Sequence, residues 1–132
     1  MKKILLDTNA YTRLLTGTEE VLDVVGAAET VYVSVFVLGE LYAGFAGGSK
    51  EKENKETLQR FLLKPMVKIL NATSETAEVF GSLKSTLRKA GTPVPINDLW
   101  IASHGIETGS TLITYDKHFE KIAGLRLWDI DP

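Results

Sequence analysis

The chain has 132 residues, 44% of them hydrophobic and 24% charged, and we expect residues 1–132 to form one globular domain. It lacks cysteine, which excludes disulfide bonds and thiolate zinc sites, and its two histidines are too few for a typical histidine-rich zinc site. No apolar run approaches the roughly 20 residues of a membrane-spanning helix, and Asp7 interrupts the apolar start too early for a signal peptide. A cytoplasmic location is therefore expected.

The formal net charge of −2, from 15 basic and 17 acidic residues, does not by itself indicate a nucleic-acid-binding protein, because such domains are usually basic. The balance changes if a cation neutralises some of the acids. Without four carboxylates, 15 basic residues stand against 13 acidic ones, and the remaining surface is able to face a polyanion. Nucleotide-binding glycine loops of the usual patterns are absent from the sequence.

Short apolar runs alternate with helical patterns along the whole chain. Such continuous apolar strands are typical of a parallel sheet covered on both faces, so the predicted fold class is α/β. Helix 35–46 is apolar on every side and is expected to be buried. Thr18 and Ser74 are the predicted N-caps of their helices, and Gly91 and Gly109 the predicted stops. The predicted strands are 3–7, 31–34, 67–70, 111–114 and 125–128, and the predicted helices are 10–15, 19–28, 35–46, 50–63, 74–90, 97–108 and 118–122.

Four carboxylates stand alone in apolar surroundings. Asp7 and Asp116 each follow a predicted strand, at the sheet edge where ligands bind in open α/β folds. Glu40 and Asp98 have apolar or small neighbours three and four residues away on their helices, so both are expected to face packed structure. An ionised carboxylate in such surroundings costs several kcal/mol unless it is compensated, and a shared divalent cation compensates all four at once.

Each acid also has a simpler explanation. Asp98, or Asn97 beside it, is able to cap its helix, Asp7 to form a turn, and Asp116 to start the short helix that follows. Glu40 has no such role, and its simplest alternative is a buried ion pair with a residue such as Arg13. His118 is expected to belong to the short helix rather than to the site, and Trp100 to the core.

Four segments together resemble the PIN-domain ribonucleases, and more narrowly the VapC toxins of bacterial and archaeal toxin–antitoxin pairs. They are LDTN at 6–9, SVFVLGEL at 34–41, INDLWIA at 96–102 and LITYDKHF at 112–119. The resemblance implies a three-layer α/β/α sandwich around a parallel sheet of about five strands. It also implies a catalytic and metal-binding quartet of Asp7, Glu40, Asp98 and Asp116, supported by Asn9 and Thr114.

The implied activity is metal-dependent hydrolysis of RNA, of the transfer or ribosomal kind, with Mg²⁺ or Mn²⁺ as the cofactor. The implied partners are a VapB-like antitoxin and a second copy of the chain. Asp7 and Asp98 are the expected direct ligands, since hard cations prefer carboxylate oxygen. Arg13 and Tyr115 are candidates for gripping the substrate. A structure-specific DNA nuclease and a non-catalytic scaffold that only binds a partner remain as alternatives.

Overall fold

The computed structural model describes residues 1–129, in which a five-stranded sheet is combined with six α-helices and one 3₁₀ helix. This confirms the predicted α/β fold. The strands are β1 (Lys3–Leu6), β2 (Thr30–Ser34), β3 (Val67–Leu70), β4 (Thr111–Ile113) and β5 (Arg126–Leu127). The helices are α1 (Thr8–Leu15), α2 (Glu19–Ala27), α3 (Val35–Ala46), α4 (Glu51–Leu62), α5 (Ser74–Lys89) and α6 (Ile96–Thr108), followed by the 3₁₀ helix Lys117–Lys121.

All strand pairs are parallel, in the spatial order β3-β2-β1-β4-β5. The chain moves from β1 outward to β3 and then returns past β1 to β4. Because parallel crossovers are right-handed, this reversal sends α1–α4 and α5–α6 to opposite faces of the sheet. The reversal also opens a crevice beyond the carboxyl ends of β1 and β4, which is the usual ligand position in such sheets.

The central strands carry the core. In β1 and β4 the side chains of Ile4, Leu5, Leu6, Leu112 and Ile113 are fully buried. Leu6 pairs with Ile113, so the two strands end level with each other. The backbone N–H of Asp7 then donates to the carbonyl of Ile113 at 3.3 Å. This register brings the residues that follow each strand to one place.

A buried histidine links the helices α3 and α6. His104 of α6 is 1% exposed; its Nε2 lies 3.2 Å from the Asn71 carbonyl oxygen and its Nδ1 2.9 Å from Ser34 Oγ. Since a carbonyl only accepts, Nε2 carries the proton and Nδ1 accepts from Ser34. Ser34 Oγ in turn accepts from Phe36 N–H at 3.1 Å and caps α3. Burial is the main reason why the pKa of His104 is lowered, which favours this neutral form.

Two sequence expectations are corrected. Helix α3 buries Val37, Leu38 and Leu41, but Glu40 lies on an exposed face, not in packed structure. The exposed face of α3 carries small residues. Because these residues are also apolar, composition alone did not show which face of the helix is exposed. The N-cap of α5 is Thr73, not Ser74, because Thr73 and Thr76 form a reciprocal capping box. Thr18 occupies the N-cap position of α2 but makes no capping hydrogen bond through its side chain.

Other boundaries agree with the sequence within two residues. Gly109 ends α6 with a φ of 64°, a left-handed conformation that glycine adopts without strain. Trp100 stacks between Phe36 and Phe80, with centroid distances of 5.1 and 3.8 Å, and is half-buried. Within residues 1–129, none of the helices combines the length and the apolar character that crossing a membrane requires.

Candidate active site

Asp7 lies at the centre of the crevice between β1 and β4 and is only 5% exposed. It serves as the N-cap of α1, where its Oδ1 accepts from Ala10 N–H at 2.7 Å. The turn-type role considered from the sequence is therefore real, but it uses only one carboxylate oxygen. Burial raises the pKa of Asp7 to about 6, although the hydrogen bonds from Thr114 and Ala10 oppose the shift.

Thr114 connects two of the acids. Its hydroxyl donates to Asp7 Oδ2 and accepts from Asp116 N–H, the latter at 2.9 Å. Thr114 is itself buried, so its hydroxyl has a fixed orientation between the ends of β1 and β4. This side chain therefore holds the loop after β4 against Asp7.

Asp98 and Asp116 approach Asp7 from the other side of the crevice. Asp98 stands in the first turn of α6, whose N-cap is Pro95, so it is not the cap of its helix. Burial raises the pKa of Asp98, and the nearby charges of Asp116 and Glu40 raise it further. Asp116 and Asp98 also raise the pKa of Asp7. Asp7, Asp98 and Asp116 therefore lie within electrostatic reach of one another, and Glu40 lies within reach of Asp98.

Glu40 reaches this cluster from the exposed side of α3. Its Oε1 accepts a hydrogen bond of 2.6 Å from the hydroxyl of Thr8, in the first turn of α1. Arg13, the basic partner considered from the sequence, lies elsewhere and stacks on Tyr115. The sequence quartet pointed to Glu40 but gave Thr8 no role, because the two residues are 32 positions apart.

His118, which was assigned from the sequence to the short helix and not to the site, lies beside the acidic cluster. Its backbone N–H donates to Asp116 Oδ1 at 2.9 Å, as expected for the start of the short helix. Its ring nitrogen Nδ1 also lies 3.1 Å from Asp116 Oδ1 and 3.7 Å from Asp98 Oδ2. The sequence feature that indicates this proximity is the spacing Asp116-Lys117-His118. An aspartate that caps a helix accepts from the backbone N–H two residues later, and this places His118 next to Asp116.

The remaining sequence candidates lie around the cluster. The Arg13 guanidinium lies 3.9 Å from the centroid of the Tyr115 ring, and the Tyr115 hydroxyl donates to Glu20 Oε2 at 3.1 Å. Asn9 is exposed in the first turn of α1, next to Thr8. Tyr115 also lines a polar cleft of about 470 Å³ beside Asp116, together with Lys117 and Trp128.

The donor set fits a divalent cation. Within residues 1–129, the ion pairs of the four acids involve only His118, and neither lysine nor arginine offsets their charge. Oxygens of Asp98 and Asp116 and a ring nitrogen of His118 all lie within 4.8 Å of one another. Hard carboxylate oxygens of this kind suit Mg²⁺ and Mn²⁺, and a bound cation offsets the mutual repulsion of these carboxylates.

The fold and the acidic crevice define a PIN-type nuclease domain, and residues 4–125 match the PIN domain family. The chain is 32% identical over 111 residues to ribonuclease VapC2 of Rickettsia felis, covering 82% of this chain and 81% of that protein. It superposes on the crystal structure of R. felis VapBC2 bound to a promoter DNA fragment with a TM-score of 0.85, at 27% identity and 98% and 99% coverage. The DNA-bound VapBC of Salmonella typhimurium gives a TM-score of 0.85 at 26% identity, with 98% of both chains covered.

The chain therefore belongs to the PIN-domain family and, within it, to the VapC ribonucleases of toxin–antitoxin pairs.

Proposed function

We propose that this protein is a metal-dependent endoribonuclease that acts as the toxin of a toxin–antitoxin pair and stops translation by cutting transfer or ribosomal RNA. The observation that carries the proposal is the cluster of Asp7, Glu40, Asp98 and Asp116 at the strand-order reversal, without lysine or arginine ion pairs in the described chain. The cytoplasm, where such RNA is found, is the proposed place of action.

Asp7, Asp98 and Asp116 are the residues proposed to hold Mg²⁺ or Mn²⁺. When bound, the cation activates water for attack and offsets the negative charge that develops on the phosphate. Asp7 is kept in place by Ala10 and Thr114, so its free lone pairs face the crevice in a fixed orientation. Asn9 is proposed to support the same acids from the first turn of α1.

Glu40 is the proposed proton acceptor. Thr8 holds one of its oxygens at 2.6 Å and leaves the other to face an attacking water. Water then forms the new bond to phosphorus, the bond to the 3′-oxygen breaks, and the leaving oxygen takes up a proton. The products are a 5′-phosphate and a 3′-hydroxyl.

Substrate contacts are proposed on the side of Arg13 and Tyr115. The Arg13 guanidinium covers one face of the Tyr115 ring. A base is therefore able to stack on the outer face of the guanidinium. The neighbouring cleft at Tyr115, Lys117 and Trp128 offers room for a nucleotide next to Asp116. The basic residues of α4 are a weaker candidate, since Lys55 already pairs with Glu51 at 3.4 Å on the same helix.

A separate apolar groove is the proposed seat of the antitoxin. It has a volume of about 570 Å³ and lies among α1, α2 and α4, where Leu15 and Leu22 are 48% and 45% exposed. Arg60 and Lys64 line the same groove and favour an acidic partner segment. The proposed homodimer uses the outer surfaces of α2 and α4 beside the groove.

The decisive experiment is cleavage of end-labelled total RNA by the purified protein with Mg²⁺, with Mn²⁺ and with EDTA. Asp98→Asn serves as the inactive control, because it keeps the shape of the side chain but removes its charge. We expect discrete cuts that require metal, are absent with the variant, and leave a 5′-phosphate. A 2′,3′-cyclic phosphate would contradict the hydrolytic route. A folded, antitoxin-free protein that cuts nothing with either metal would favour the partner-binding scaffold.

A further inference from the structure

We propose that His118 is a nitrogen ligand of the catalytic cation, and that it makes the site selective for Mn²⁺ over Mg²⁺. This inference rests on the proposed function, because it needs a cation at the acidic cluster. Nothing in the carboxylate quartet requires a nitrogen ligand.

The geometry of the metal-free cluster points to this role. His118 Nδ1 lies 3.1 Å from Asp116 Oδ1 and 3.7 Å from Asp98 Oδ2, and the donor atoms of the three residues lie within 4.8 Å of one another. Ligands about 2.1 Å from a common cation are about 3 Å apart when adjacent and about 4.2 Å apart when opposite. The three donors therefore already have nearly the spacing of a coordination shell.

The backbone of His118 is fixed by its surroundings. Asp116 caps the 3₁₀ helix through the His118 N–H, and the next residue, Phe119, is 1% exposed and anchors the same helix in the core. The His118 side chain itself is 53% exposed, against 18% and 30% for Asp98 and Asp116. A side chain that is open to solvent but held against two acids is accessible to an ion that enters the crevice.

The chemistry of the ligand gives the selectivity. Mg²⁺ strongly prefers oxygen donors and keeps its waters. Mn²⁺ also binds carboxylate oxygen, but as a first-row transition cation it accepts an imidazole nitrogen more readily than Mg²⁺ does. An imidazole beside carboxylates therefore adds more to the affinity for Mn²⁺ than to that for Mg²⁺. The second histidine, His104, does not compete for this role, since both of its ring nitrogens are occupied by Ser34 and Asn71.

The test is pulsed electron paramagnetic resonance of Mn²⁺ bound to the full chain at pH 8, where imidazole is neutral. We expect a ¹⁴N coupling from a directly bound imidazole in the wild type, replaced by a ¹⁵N coupling after labelling with ¹⁵N-histidine. His118→Ala should lose the coupling, and the exposed neighbour Lys121→Gln should keep it. Calorimetry should show Mn²⁺ affinity falling about tenfold in His118→Ala, while Mg²⁺ affinity changes by less than about threefold.

The outcomes separate the two proposals. Mn²⁺ that binds at the cluster without a nitrogen coupling overturns the role of His118 and leaves the carboxylate metal site standing. A wild type that binds neither cation overturns both. Equal losses of Mn²⁺ and Mg²⁺ affinity in His118→Ala also overturn the selectivity, because the ring would then act only by orienting Asp116.

Discussion

At the scale of single residues, the site combines two roles in the same side chains. Asp7 caps α1 and also belongs to the acidic cluster, while Asp116 caps the 3₁₀ helix and contacts His118. The capping roles considered for these two acids are therefore confirmed, and they are compatible with the proposed role of the same carboxylates in a metal site. Helix caps are rigid positions, which is why a cap is a suitable place for a residue that must keep its orientation.

The metal-free protein should be destabilised by the charge of Asp7. A folded pKa of about 6 against an ordinary 3.8 means that the folded state binds more protons between these values. Stability therefore falls as pH rises from about 4 to about 6, and the full cost of about 3 kcal/mol persists above that range. We expect Asp7→Asn to be more stable than the wild type at pH 8 in EDTA, by about 1 to 3 kcal/mol, and to lose this advantage near pH 4.

Denaturant unfolding at the two pH values measures this difference. Asparagine is as good an N-cap as aspartate, so the capping of α1 does not confuse the comparison. Added Mn²⁺ should stabilise the wild type but not the variant. A wild type that is the more stable of the two at pH 8 in EDTA would contradict the cost assigned to the buried charge.

Thr8 should matter through its hydroxyl. Thr8→Val keeps the shape of the side chain but removes the 2.6 Å hydrogen bond to Glu40, so the carboxylate loses its fixed orientation. We expect RNA cleavage to fall by about tenfold or more, a typical effect of removing a partner that orients a site residue. Thr8→Ser is the control, and it should cleave at nearly the wild-type rate. Equal rates for the valine and serine variants would exclude a role for the hydroxyl.

At the scale of elements, the sequence predicted the strands and most helix ends well, because each depends on local pattern and capping. The apolar run of β1 and the stop at Gly109 are examples. The exposure of Glu40 was not predictable in this way, because helix α3 is apolar all round and only its packing shows which side remains open. The contacts from Thr8 to Glu40 and from His118 to Asp98 were missed, since they depend on how elements distant in sequence are brought together.

His104 links α3 and α6 through both of its ring nitrogens, so the effect of a substitution should depend on which of the two hydrogen bonds it preserves. In His104→Asn the amide approximates Nδ1 and retains Ser34, while in His104→Gln it approximates Nε2 and retains the Asn71 carbonyl. Each variant leaves one buried partner unsatisfied, so we expect a loss of about 1 to 3 kcal/mol in the free energy of unfolding. Because Glu40 and Asp98 stand on the two linked helices, cleavage should fall most in His104→Gln, which frees the cap of α3.

Thr76→Val provides the control, because it removes the 2.7 Å hydrogen bond from α5 to Glu107 of α6 together with the capping box of α5, and leaves α3 untouched. Thermal melting measures the stability of each variant, and single-turnover cleavage below the unfolding transition measures the effect on positioning. If Thr76→Val and His104→Gln lose activity in proportion to stability, His104 has no positioning role beyond general folding.

At the scale of the whole molecule, the acidic crevice and the apolar groove are built from different residues. Cleavage and antitoxin binding should therefore be separable.

Leu22→Glu places a charge in the groove and should weaken binding of the cognate antitoxin by at least about 2 kcal/mol, a typical hot-spot effect, while RNA cleavage stays unchanged. Leu63→Glu, at a residue that is 82% exposed and does not line the groove, should bind normally. Calorimetric titration of both variants with the antitoxin measures the two affinities. An unchanged affinity for Leu22→Glu would refute the groove as the antitoxin-binding site.

The sheet order has a consequence for how a cell survives making this protein. Strand β1 and Asp7, which follows it, are synthesised first. The partner strand β4 and the loop with Asp116 and His118 follow more than 100 positions later. The hydrogen bond from Thr114 to Asp7 spans 107 residues. A nascent chain emerges from its amino end, so every ribosome-bound intermediate that stops before this loop lacks Asp116 and the Thr114 hydroxyl that orients Asp7. On the proposed function, cleavage of RNA is therefore expected only after the loop that carries Asp116 has been synthesised. A released fragment from an aborted message should be harmless for the same reason.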